Sequence, residues 1–140
     1  RKTRLDQPFG KATLAEALMA PTTIYVKPVL DLLAAGVPVR GMAHITGGGI
    51  PGNLPRCFPK GVGAVVDLQS WRRPEIFNWL QAQGDIDEDE MRRVFNCGLG
   101  FALVVPRLKA DAALAQLKAA GTKPWILGEI VAGNQDVRFA

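Results

Sequence analysis

Histidine and tyrosine occur once each in the 140 residues, at His44 and Tyr25, and cysteine only twice, at Cys57 and Cys97. One histidine and two unpaired cysteines exclude a His/Cys zinc site, and no Ser-His-Asp order, carboxylate pair or metal motif stands at a useful spacing. The cysteines lie in apolar or motif-like contexts rather than in spaced pairs, which predicts free buried thiols and no disulfide. Long apolar runs are also missing. None approaches the roughly 20 residues that cross a bilayer, and the start of the chain lacks the zones of a signal peptide, so a soluble, cytoplasmic protein without a membrane partner is expected. The formal charge is +4. Its lysines and arginines are scattered from Arg1 to Arg138 without interleaved aromatics, which argues against a nucleic-acid partner.

Hydrophobic residues make up 48% and charged residues 21%, a balance that supports one globular domain with a real core. The opening Arg1-Lys2-Thr3 has no methionine, which raises the expectation of a partner domain upstream.

A Pro8-Phe9-Gly10 turn signal precedes a short helical stretch from Ala12 to Ala20. Val26, Val29, Leu30 and Leu33 share one face of a second helix, with Pro28 in its first turn and Gly36 and Pro38 at its end. Val39 to Thr46 reads as a strand leading into a triple glycine. An irregular Pro-rich loop separates it from a buried strand, Gly63 to Leu68. Pro74 starts a helix carrying Ile76, Trp79 and Leu80 and closed at Gly84. Asp87 opens another as its cap, with Glu90 three residues on and Met91, Val94 and Phe95 facing inward, so the acidic run 87–90 is a helix start and not a metal site. Leu99 to Val105 is a central strand, Leu108 to Ala120 a helix, Trp125 to Val131 a strand, and Val137 begins an edge strand. The pattern predicts an α+β domain, layered α/β/α, whose helices cover a mixed sheet of four to six strands, since several connections are too short for parallel crossovers.

Gly47-Gly48-Gly49 follows a strand, and consecutive glycines let backbone amides approach an anion. The spacing Gly47-x-Gly49-x-x-Gly52, with Asp67 downstream, formally matches a dinucleotide fingerprint. Pro51, Gly52 and Pro55 exclude the long crossover helix that such a site needs, and no Gly-Lys-Ser/Thr completes a Walker loop. His44 and Thr46 share a strand face. Position alone fits a hydrogen-bonded strand histidine as well as a catalytic one. Asn96-Cys97-Gly98 fits a left-handed turn at a helix end, so Cys97 need not be a nucleophile.

The motifs His44-Ile-Thr-Gly-Gly-Gly-Ile-Pro-Gly-Asn-Leu-Pro-Arg56, Glu75-Ile-Phe-Asn-Trp-Leu80, Met91-Arg-Arg-Val-Phe-Asn-Cys-Gly98 and Trp125-Ile-Leu-Gly-Glu-Ile130 occur in that order. Together with Ala20-Pro-Thr-Thr-Ile-Tyr-Val-Lys27, the chain resembles the C-terminal domain of the phosphoribosylformylglycinamidine cyclo-ligase (aminoimidazole ribonucleotide synthetase) family over nearly its whole length. The resemblance implies residues 1–140 as the second domain of a two-domain subunit, beginning partway through a helix at Arg1. The absent N-terminal domain would supply most of the ATP and Mg2+ site and the contacts of a homodimer. It further implies a layered, partly ferredoxin-like fold and ATP-driven closure of formylglycinamidine ribonucleotide to aminoimidazole ribonucleotide in purine biosynthesis.

By the same resemblance, His44 is the catalytic candidate, and Thr46, Gly47, Gly48, Gly49 and Asn53 bind the nucleotide substrate or its phosphate. Arg56 either balances charge or is a surface loop residue, and Asn96, Cys97 and Gly98 support the cleft. Gly52 departs from relatives that carry a larger polar or acidic residue. Alone, the chain is expected to be inactive. Selenophosphate synthetase, thiamine-monophosphate kinase and formylglycinamidine ribonucleotide synthase resemble it less well, and a non-catalytic binding or assembly domain is the reading of a different class.

Overall fold

The computed structural model describes residues 3–140. Arg1 and Lys2, with the expected helix end there, lie outside the described residues. Pro8–Phe9 (β1) and Ala12–Thr13 (β2) pair antiparallel, so the turn signal at Gly10 is the tip of a small hairpin. Thr13 then caps α1 (Leu14–Leu18). The Glu16 amide donates to the Thr13 hydroxyl at 3.3 Å and the Thr13 amide donates to the Glu16 carboxylate at 2.8 Å, a reciprocal cap that starts the helix two residues later than the composition suggests.

Helix α2 (Val26–Ala34) has Pro28 in its first turn, where a missing N–H is harmless. Its buried residues are Val29 and Leu32, whereas Val26, Leu30 and Leu33 are 65%, 58% and 42% exposed. The apolar stripe is wider than the strip this chain covers, and the covered edge is one row over from the one the spacing favours.

Strand β3 (Gly41–His44) pairs antiparallel with β5 (Phe101–Val104). Strand β4 (Val62–Val66) is the centre of a separate three-stranded sheet, antiparallel to β6 (Gly128–Ala132) and parallel to β7 (Val137–Phe139). The fold is mixed α+β with a mixed sheet, as expected, but the strands divide between sheets rather than forming one of four to six. The segment joining β3 to β4 accounts for this. Expected as an irregular loop, it folds as helix α3 (Gly49–Asn53) and a 3-10 turn (Leu54–Cys57) that packs against β3. Its Ile50 and Leu54 join Ala43 and Ile45, Ala64 and Val66, Leu99 and Ala102 in one core. Both sheets therefore bury side chains together without sharing hydrogen bonds.

Helices α4 (Glu75–Gly84), α5 (Glu88–Val94) and α6 (Ala110–Ala119) complete the chain, with α3 packed on α5 and α2 against α6. The α5 start corrects one expectation. Asp87 occupies the cap position but its side chain caps nothing, and Glu90 binds Arg93 instead at 2.7 and 2.6 Å. A bidentate guanidinium on the next turn outcompetes the backbone for that carboxylate. Met91 is fully buried, while Val94 is 38% exposed. Among the described residues no helix is long and apolar enough to cross a membrane.

Glu88 holds α5 to the chain before α4. Its carboxylate accepts hydrogen bonds from Arg73 and, at 3.0 Å, from the Gln81 amide, and Arg92 lies 3.1 Å away. The Arg73 hydrogen bond keeps the Glu88 carboxyl below its usual range. A depressed carboxyl pKa stabilises the fold above the unfolded value of about 4.3, and this is lost as pH falls through the folded value. Thermal unfolding followed from pH 7 to pH 3 should therefore show a shallower acid limb in Glu88→Gln than in the parent protein. Identical acid limbs would show that the pair carries no pH-dependent stability.

Candidate functional site

Strand β3 alternates in and out: Ala43 and Ile45 are buried, Met42 and His44 exposed. Thr46 is exposed as well, so His44 and Thr46 share the outer face that their spacing predicts. The Ile45 amide donates to the Gly100 carbonyl at 2.9 Å, prolonging the β3–β5 pairing by one step before the chain turns. At Gly48 and Gly49 the backbone takes φ of +96° and +57°, a left-handed path on which a side chain is strained. The Gly49 amide donates to the Thr46 carbonyl at 3.1 Å and the Gly52 amide to the Gly48 carbonyl at 2.9 Å. The amides of Gly47 and Gly48 meet no acceptor among the described residues.

Asn53 locks this turn. Only 4% exposed, it donates from Nδ2 to the Gly47 carbonyl at 3.1 Å and the Gly49 carbonyl at 2.8 Å. The turn also has a floor. A Cβ on Gly49 would run into the Arg92 carbonyl oxygen and lie 2.9 Å from that of Phe95, so glycine is what lets α3 sit directly on the end of α5. On the other side the Asn96 amide donates to the Ile45 carbonyl at 3.4 Å, while its Oδ1 accepts from the Gly98 amide at 3.0 Å. Asn96 thus bridges the exit of β3 to the turn before β5.

A groove of about 230 Å³ opens beside the turn, lined by Met42, Ala43, His44, Asn53, Arg56 and Cys57. Of the predicted residues, His44 and Asn53 face it directly. Thr46, Gly47, Gly48 and Gly49 form the adjoining turn. Arg56 is the only charged group in its lining, is exposed, and makes no ion pair among the described residues. A free guanidinium in the groove and free backbone amides in the turn that Asn53 locks are both groups that favour an anion.

Neither thiol is poised for attack. Cys57 donates to the Leu54 carbonyl at 3.1 Å and Cys97 to the Met91 carbonyl at 3.5 Å, and burial pushes both thiols above the ordinary range. Both are free. Mg2+ requires an octahedron of oxygen ligands, usually including carboxylates. The groove lining has none, and the described residues hold no group of three His, Cys, Asp or Glu side chains able to hold a metal. The residues present do not fit magnesium.

Sequence reasoning missed the surroundings of His44. Tyr25, at the start of α2, and Phe101, at the start of β5, pack their rings around the imidazole. Tyr25 stands within the Ile-Tyr-Val-Lys phrase, but no spacing rule brings residues 25, 44 and 101 together.

Among solved structures, a chain in the crystal structure of a HypE-HypF complex is similar, with 20% identity and a TM-score of 0.61 over 91% of this chain and 44% of that chain. This chain spans less than half the length of that one, and at such identity the likeness is one of fold. A family model described as AIR synthase related protein, C-terminal domain, matches residues 1–139. The glycine turn, its asparagine lock and the two-sheet core are thus those of a chain that belongs to the AIR synthase related family, as its C-terminal domain.

Proposed function

We propose that this chain is the C-terminal domain of an ATP-dependent cyclo-ligase that converts formylglycinamidine ribonucleotide to aminoimidazole ribonucleotide in the cytoplasm. The observation that carries the reading is the meeting of His44, Asn53 and the unpaired Arg56 at one groove, with Asn53 tying that groove to the turn whose Gly47 and Gly48 amides are unpartnered. These residues all fall within the motif that most resembles that family.

In this reaction the γ-phosphoryl group of ATP is transferred to the formyl oxygen, releasing ADP. An amidine-side nitrogen then attacks the activated carbon, the new C–N bond closes the ring, and phosphate departs with the C–O bonding electrons. No covalent protein nucleophile is needed, since positioning and charge stabilisation supply the rate. The Gly47 and Gly48 amides and Arg56 hold the phosphoryl oxygens, and His44 takes or steadies the proton lost by the attacking nitrogen. Asn53 keeps the amides aimed. ATP and its magnesium belong mostly to an N-terminal domain, which also makes the homodimer.

The test is ring formation and ADP release by the full-length protein. His44→Ala and Arg56→Ala should each lower kcat/KM at least about tenfold with the fold intact, the scale of one proton-transfer or charge-assisted contact. The 140-residue chain alone should neither hydrolyse ATP nor cyclise substrate. ATP hydrolysis without ring closure in the full-length protein, or unchanged kinetics in both variants, would overturn the reading.

A further inference from the structure

We infer that Tyr25 is a positioning residue for His44, holding the imidazole toward the groove through a three-ring cluster completed by Phe101. The inference rests on the reading of His44 as the proton-handling group. His44 is the last residue of β3 and is exposed, so its own strand does little to choose a rotamer. Two neighbours do. Phe101 stands directly opposite in the β3–β5 register, with ring centroids 6.0 Å apart and planes at 32°. Tyr25 comes from a different element and meets the imidazole edge-on, at 6.0 Å and 66°, while lying 5.3 Å from Phe101. Each ring contacts the other two. Aromatic contacts of this geometry, taken together, favour one rotamer about tenfold.

Tyr25 is also fitted to this place. Its hydroxyl lies where a Cβ on residue 100 would stand, so only glycine at that position admits the ring. The same Gly100 accepts the Ile45 hydrogen bond that ends the β3–β5 pairing. Core packing does not explain the tyrosine, which is half-buried and stands apart from the hydrophobic core around Ile45 and Leu99. Its contacts with His44 and Phe101 are ring contacts, so the hydroxyl is dispensable.

The experiment uses full-length protein labelled with 13C-histidine, the His44 resonance being identified by its loss in His44→Gln. In Tyr25→Leu, which keeps apolar bulk without a ring, the His44 ring proton should change its shift as the ring current is removed. The same variant should lose about tenfold in kcat, with KM within about twofold, as expected for an interaction felt in the transition state. Tyr25→Phe should restore both readouts. Gly100→Ala, which displaces the tyrosine ring without removing it, should reproduce the Tyr25→Leu shift and serves if that variant does not fold. An unmoved His44 resonance in these two variants would overturn the inference, as would a moved resonance with unchanged kcat. A moved resonance in a protein without cyclo-ligase activity would support the positioning and remove the functional reading beneath it.

Discussion

Gly49→Ala should lower the unfolding free energy by about 2–5 kcal/mol in urea denaturation at 25 °C, while Gly47→Ala should stay within about 0.5 kcal/mol of the parent. The two glycines are two residues apart but meet opposite surroundings. At Gly49 the backbone is left-handed, with φ of +57°, which costs an L-residue about 1–2 kcal/mol. A Cβ there would also strike the Arg92 carbonyl oxygen and crowd that of Phe95. These are backbone atoms at the end of a helix and cannot rotate aside, so α3 would have to lift from α5, an overpacking strain of about 1–3 kcal/mol. At Gly47 nothing lies within 4 Å of the same hypothetical atom. A loss below about 1 kcal/mol at Gly49 would mean that α3 does not rest on α5 so closely.

Asn53→Asp, almost isosteric, is expected to cost about 2–4 kcal/mol at pH 7. The wild-type amide donates two hydrogen bonds to the Gly47 and Gly49 carbonyls from a site 4% exposed. A carboxylate has no proton to donate and would direct negative charge at both oxygens. The protonated acid regains one donor, so the folded state would bind this proton more tightly than the unfolded chain, where the carboxyl pKa is about 3.9. Stability in this variant should therefore fall as pH rises from below about 4 through the raised folded value. Most of the deficit should disappear near pH 3.5 when parent and variant are compared at each pH. A pH-independent deficit would show that the charge is relieved by water or by movement of the turn.

The α+β class, the order of the main helices and strands, and the glycine turn were legible because each depends on local rules: strand alternation at 43–45, a proline at a helix start, left-handed glycines. Three features were not. The division of β3 to β7 between two sheets depends on a helical turn at residues 49–57, where Pro51, Gly52 and Pro55 argue locally against a helix. Packing on β3 and α5 overrides that preference. The α2 stripe is apolar over more of its circumference than one neighbour can cover, so periodicity identified the helix but not its covered edge. Asp87 and Glu90 matched a capping box, yet Arg93 one turn on was a stronger partner for Glu90. In the candidate site, His44, Asn53 and Arg56 fall within one stretch of sequence and were found together. Tyr25 and Phe101 come from distant segments and join them only through the fold.

The glycine turn is consequently lopsided in its tolerance for change. One rim, at Gly49, is sealed against the end of α5, and that helix is tied by Glu88 to Arg73. The other rim is open: Gly47 and Gly52 are exposed, and neither has an atom within 4 Å of an added Cβ. Side chains can be added at residue 52 without disturbing the frame. Residues 47 and 52 can therefore vary while the scaffold that presents them stays constant.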